Sequence, residues 1–394
     1  GTKSRNLDIF LCGEETVKYL LSRDSKGSEL AVIEGVMGLY DGKGFKDDSF
    51  SANHIAKLTK TPTILVVNIK GKSLSLVAEI KGYLGFMENR IAGVILNNCS
   101  EGMYAIYKKL LEENGIKTYG HLPRVPEASI GSRHLGLVTA EEISDIKKKM
   151  DMLGKAAEKS LDLYGIMKLG EGAETLEHED LTILRGRDES SVKIGIARDK
   201  AFCFYYEDVL EMLEDLGARL IPFSPVEDEH LPCGINGLIL GGGYPELHIE
   251  KISQNKSMLN EIKKASEDEM PIYAECGGFM YLGESIEISG KKYETVGAIK
   301  GNSRVTKSLV RFGYKDLEAN VDNVLCRKGE SIRCHEFHYS DTDNYGTGFT
   351  ASNGRGRTWL TGKATKSMYA GYPHLHLWGN PGFAKSFIEA CEMY

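Results

Sequence analysis

Pro271-Ile272-Tyr273-Ala274-Glu275-Cys276-Gly277-Gly278-Phe279-Met280-Tyr281-Leu282 reads as a short strand that passes through one cysteine and two glycines into an amphipathic helix. A nucleophile on such a strand-to-helix turn stands exposed at the C-terminal edge of a sheet. The helix N-terminus beneath it favours thiolate over thiol. Gly277 and Gly278 allow a tight turn and let backbone N–H groups approach an oxyanion. A single cysteine is more often a buried core residue, and the paired glycines tell against that here.

Leu240-Gly241-Gly242-Gly243-Tyr244-Pro245-Glu246 also follows a strand. Alone, a triple glycine is a tight loop. Beside Cys276 it is the expected source of the second oxyanion donor, with Gly243 and Gly277 as the pair. A thiolate needs a base. Two clusters compete, His335-Glu336-Phe337-His338-Tyr339 and Gly371-Tyr372-Pro373-His374-Leu375-His376-Leu377. Alternate residues of each would share one strand face. His374 and His376 have the spacing to hold a metal, but no further ligand cluster accompanies them, so a metal is not expected there.

The same α/β pattern extends outward from this turn. Val192–Ala197, Arg219–Phe223 and Gly237–Leu240 read as strands, with helices over 206–216 and 254–267. Earlier in the chain Leu30–Glu34, Thr63–Asn68 and Ile91–Asn97 read as buried strands, and Thr118–Leu122 as a further one. Helical spacing over 75–86 and 102–114 separates them. Val-, Ile- and Leu-rich strands alternating with helices indicate parallel sheets. Residues 140–163 form a charged amphipathic stretch. Residues 171–191 are polar and poor in large apolar side chains, which makes them the expected linker. A length of 394 residues suits two domains. The expected division is 1–185 and 190–394.

With 41% hydrophobic and 27% charged residues the chain is an ordinary globular one, and its net charge of −7 argues against a general nucleic-acid or anionic-membrane binder. The eight cysteines include no CxxC pair, which excludes a zinc-ribbon or thioredoxin-like reading. No secretory start and no apolar run near ~18 residues are present, so a cytoplasmic protein with reduced thiols and no membrane span is expected. Nothing in the residues speaks to oligomeric state.

Taken together, the second half resembles the cobyrinic acid a,c-diamide synthases, glutamine amidotransferases of the cobalamin pathway. The matching stretches are 198–206, Phe223-Ser224-Pro225, Gly241–Glu246, Ala274–Leu282, His335–Ser340 and His374-Leu375-His376. The resemblance implies a class I glutaminase domain with Cys276 as nucleophile and His374 as base, His376 being the second choice. Many class I glutaminases carry a glutamate two residues after that histidine. Here the place is taken by His376, which leaves the third triad member open.

Val32-Ile33-Glu34-Gly35-Val36-Met37-Gly38-Leu39-Tyr40-Asp41-Gly42 ends an apolar run with two acids around a Gly-rich loop. Acids at the C-terminal end of a strand are where an α/β domain holds Mg²⁺ against phosphates, although Asp-Gly alone is ordinary turn chemistry. This loop resembles the same family, as do 4–8, 93–97 and 132–138. The resemblance implies a P-loop NTPase-like domain in which Glu34 and Asp41 serve Mg²⁺ and ATP. It also implies phosphorylation of a cobyrinic acid carboxylate by ATP and displacement of the acyl phosphate by ammonia, at c and then at a. The family's P-loop, G-x-x-x-x-G-K-[ST], does not occur: before Gly71-Lys72-Ser73 the required glycine is Val66. The expectation is therefore a partial P-loop domain whose N-terminal segment is lost by truncation. Arg124, Arg133 and His134 are either contacts for an acidic substrate or solvated surface. The alternatives are a nickel-sirohydrochlorin a,c-diamide synthase, a free-standing glutaminase, and a non-catalytic binding or regulatory relic.

Overall fold

A computed structural model describes residues 4–131, 143–181, 192–354 and 356–394. The chain forms two compact units, Leu21–His178 and a larger one that joins Gly1–Leu20 to Glu179–Tyr394.

The smaller unit holds a three-stranded parallel sheet of β1 (Thr63–Asn68), β2 (Ile91–Asn97) and β3 (Thr118–Leu122) in that order. Helices Ser75–Phe86 and Glu101–Glu113 make the crossovers, as parallel pairing requires. Their apolar faces, through Leu76, Val77, Ile80, Tyr107 and Leu111, pack on Val67, Val94 and Leu96. One expected strand is corrected. Leu30–Glu34 is irregular, and Val32 is 84% exposed. An apolar run becomes a buried strand only where a neighbour satisfies its backbone groups. Among the described residues β1 pairs with β2 alone, and Val66 stays 58% exposed. The stretch 132–138, with Arg133 and His134, lies outside the described residues, and Arg124 is exposed.

The larger unit is built on a six-stranded sheet. Its strands are β4 (Val192–Ala197), with β5 (Phe202–Phe204) branching off to pair elsewhere, then β6 (Ala218–Phe223) and β7 (Gly237–Leu240). The short β8 (Gly242–Gly243) pairs with β5, and β9 (Ile272–Glu275) leads to Cys276. The order across the sheet is Lys363–Ala364, Met368–Gly371, β9, β7, β4, β6, parallel except for the first pair. Central strands need burial on both faces, and β7 and β9 are buried at every position. Helices Lys256–Glu267 and Pro381–Met393 contribute Met258, Leu259, Ile262, Phe383 and Phe387 to the interior.

An antiparallel sheet follows, in the order Thr358–Thr361, Phe349–Ser352, Arg311–Ala319, Ser331–His338, His374–Leu375. It brings His335 opposite His374. Residues 4–12 belong to this unit through specific contacts. Arg5 pairs with the buried Asp208 at 3.2 Å and with Glu211 at 2.6 Å, and Tyr314 donates to Asp8 at 2.6 Å. The short helix Ile9–Cys12, capped by Asp8, is wholly buried. Among the described residues no helix is long and apolar enough to cross a membrane.

Candidate active site

Cys276 sits where β9 ends and the helix Gly277–Leu282 begins, at φ +46° and ψ −101°. Left-handed backbone at a side chain this size is strained and is held only by its surroundings. Three hydrogen bonds hold it: Cys276 N to Gly371 O at 2.7 Å, Met280 N to Cys276 O at 3.0 Å, and Gly278 N to Gly241 O at 3.0 Å. The strain turns the thiol out of the strand line, as a nucleophile elbow does.

The glycine loop β7–β8 comes up against this turn. A methyl on Gly242 would lie 2.7 Å from Cε1 of His374, so only glycine leaves room for that ring. The Cβ that Gly277 lacks would stand 3.2 Å from the Gly243 nitrogen. The amide-bearing segments expected as the oxyanion pair are thus neighbours beside the sulfur. The Gly278 N–H is taken by Gly241, which leaves it no part in this.

His374 begins the short strand after Met368–Gly371, the neighbour of β9, and its ring lies near enough to the Cys276 sulfur to feel its charge. Its Nδ1 lies 3.3 Å from Oε2 of Glu275. Burial works against a charge on this imidazole, but the Cys276 sulfur and the Glu275 carboxylate outweigh it and raise the group to about 10. The other imidazoles behave differently. His335 stacks on His374 with centroids 4.9 Å apart, meets Tyr206 Oη at 2.9 Å, and is pushed down to about 3 by burial and by the charge on His374. His338 stacks on Tyr372 and is pushed down to about 4 by burial. His376, the second choice of base, packs its buried ring against Tyr206, centroids 4.4 Å apart. The two histidine clusters that competed in the sequence therefore lie on adjacent strands, and it is His374 that meets the sulfur. Cys276 and His374 keep 9% and 7% exposure, so charge developing there is shielded from water. Burial raises the thiols of Cys12, Cys99, Cys326, Cys334 and Cys391, which are packing residues.

Sequence reasoning gave Glu275 no role. It is 6% exposed, and Oε1 accepts from Leu375 N at 2.8 Å and from the Tyr273 hydroxyl. A carboxylate within an otherwise apolar, fully buried strand was the signal available. Glu34 and Asp41 are both exposed in the smaller unit. Among the described residues neither joins a cluster of three potential metal ligands.

Residues 193–382 match the family of CobB/CobQ-like glutamine amidotransferase domains. Over nearly the whole chain there are closer relatives. The cobyrinate a,c-diamide synthase of Clostridium tetani is 44% identical over 99% of this chain and 88% of its own. That of Caldanaerobacter subterraneus subsp. tengcongensis is 40% identical over 99% and 87%, and that of Clostridium acetobutylicum 40% over 99% and 88%. With the elbow cysteine, the histidine and the glycine loop assembled on one sheet edge, the chain belongs to the cobyrinate a,c-diamide synthase family, glutamine-dependent amidating ligases of cobalamin biosynthesis.

Proposed function

We propose that the protein amidates the a and c side-chain carboxylates of cobyrinic acid, using ATP and the ammonia released when Cys276 hydrolyses glutamine. The observation that carries this reading is the His374 ring against the sulfur of a strained elbow cysteine, with the Gly243 and Gly277 segments beside it. The Cys276 thiolate attacks the glutamine side-chain carbonyl, and backbone N–H groups of Gly243 and Gly277 receive the oxyanion. His374 gives its proton to the departing nitrogen, which leaves as ammonia. It then takes a proton from the water that cleaves the thioester to glutamate and free Cys276.

The other half of the reaction needs a leaving group on the acceptor. ATP transfers its γ-phosphoryl group to the carboxylate, releasing ADP, and ammonia displaces phosphate from the acyl phosphate to form the amide, at c and then at a. Magnesium is usually bound by one or two carboxylates plus substrate phosphates, and Glu34 and Asp41 on their Gly-rich loop suit that donor set. When bound it would neutralise phosphate charge.

The test is to supply the full-length protein with cobyrinic acid, MgATP and glutamine and to follow product mass. Two amidations are expected. Cys276→Ser should lose the reaction with glutamine and keep it with ammonium as the nitrogen source. Glutamine hydrolysis surviving in Cys276→Ser refutes the nucleophile. No mass change with either nitrogen source refutes the acceptor.

A further inference from the structure

We propose that Glu275, the residue immediately before the nucleophile, is the positioning acid of the glutaminase site and holds His374 in its working tautomer and orientation. This rests on the reading of Cys276 and His374 given above.

The geometry separates the two carboxylate oxygens. Oε1 is held from two sides, by Leu375 N at 2.8 Å and by the Tyr273 hydroxyl. Burial, and then the charge on Glu275, raise that hydroxyl well above the ordinary tyrosine range, so it stays protonated and donates. Oε2 is left to meet His374 Nδ1 at 3.3 Å. With Nδ1–H directed at a carboxylate, Nε2 is the nitrogen that serves the sulfur, and this fixes the tautomer. The bond is long, as catalytic hydrogen bonds often are before substrate binds.

The fold explains why the acid can come from here. Met368–Gly371 pairs in parallel with β9, so the chain leaves that strand directly beside Glu275, and Gly371 is the register partner of Glu275 itself. His374 follows within one turn of backbone. A glutamate placed two residues beyond the histidine would stand at 376, and that ring is instead packed on Tyr206.

The titratable groups around His374 come from three segments. Cys276 and Glu275 belong to the β9 turn, His335, Glu336 and His338 to the strand Ser331–His338, and His376 to its own segment. Burial keeps His335 and His338 neutral and raises Glu336. Glu275 hydrogen-bonds the ring, and the Cys276 sulfur acts on its charge. A negative neighbour favours imidazolium over imidazole. Replacing Glu275 by a neutral residue therefore lowers the pH at which His374 loses its proton, and freeing its carboxylate from a donor raises that pH.

The experiment measures glutamate release by the full chain against pH. Glu275→Gln should lower kcat by about 10²–10⁴-fold and move the alkaline limb of the profile to lower pH, with KM for glutamine little changed. Tyr273→Phe removes one donor from Oε1 and should move the same limb to higher pH. A residue that merely supports the fold would shift melting temperature and leave both limbs in place. A folded Glu275→Gln protein with wild-type kcat and an unmoved limb overturns the inference. Should Glu275→Gln fail to fold, Tyr273→Phe decides: an unmoved or lowered limb overturns it. Cys276→Ser separates the two layers. If that variant still hydrolyses glutamine, the underlying reading has failed. If it is inactive and Glu275→Gln is not impaired, this inference alone has failed.

Discussion

Gly242→Ala places one methyl group at the centre of the proposed glutaminase chemistry. The added carbon would lie 2.7 Å from Cε1 and 3.5 Å from Nδ1 of His374. Non-bonded carbons rest at roughly 3.5–4.0 Å, so the ring must retreat by about 1 Å. Its retreat is opposed, because His335 stacks on the ring at 4.9 Å and Glu275 holds Nδ1 at 3.3 Å. Misplacing a catalytic group by 1 Å can cost about 10²-fold in rate. The expected result is a kcat for glutamine hydrolysis lowered by about that factor. Ammonium-dependent amidation should be unaffected, since it does not use His374. Glutamate release and product mass measure the two rates on one preparation. A Gly242→Ala protein with wild-type glutamine hydrolysis would refute the argument that the glycine loop exists to seat this imidazole.

Arg5→Ala removes one partner, held at 3.2 Å, from the fully buried Asp208. Removing one side of a buried pair costs about 3–5 kcal/mol, read as a loss in denaturant midpoint. In Gly82→Ala the new methyl meets nothing within 4 Å inside helix Ser75–Phe86. It should therefore stabilise the smaller unit by about 0.5–1 kcal/mol. Burial raises Glu246 from 4.5 to about 7. The folded chain thus binds more protons than the unfolded chain between those values, and this group's contribution to stability falls as pH rises through that window. Glu246→Gln removes the effect, so its melting temperature relative to the parent should rise between pH 5 and pH 8. An unchanged difference would remove Glu246 as the cause.

The sequence alone determined the reading of the elbow, because strand, cysteine, paired glycines and helix are all local features. Val192–Ala197, Gly237–Leu240 and the strand before Cys276 were legible for the same reason: apolar runs bounded by turns need little tertiary context. Leu30–Glu34 shows the limit of that logic. Its composition is that of a buried strand, yet among the described residues no strand pairs with it, and Ala31, Val32 and Glu34 are exposed.

The placement of the four histidines around the sulfur, and of Glu275 beside one of them, comes from pairing between strands far apart in the chain. His335, His338, His374 and His376 all carried equivalent local patterns. Antiparallel pairing sets His335 opposite His374, and the parallel neighbour of β9 delivers His374 to the sulfur while His376 is turned into the core. Glu275 comes within hydrogen-bond reach of a ring ninety-nine residues away in the chain. The Arg5 and Asp8 contacts likewise span most of the sequence, joining the first residues to the larger unit. Local patterns reveal which face a side chain occupies, but partnership between distant strands arises from sheet order, and no local periodicity encodes that order.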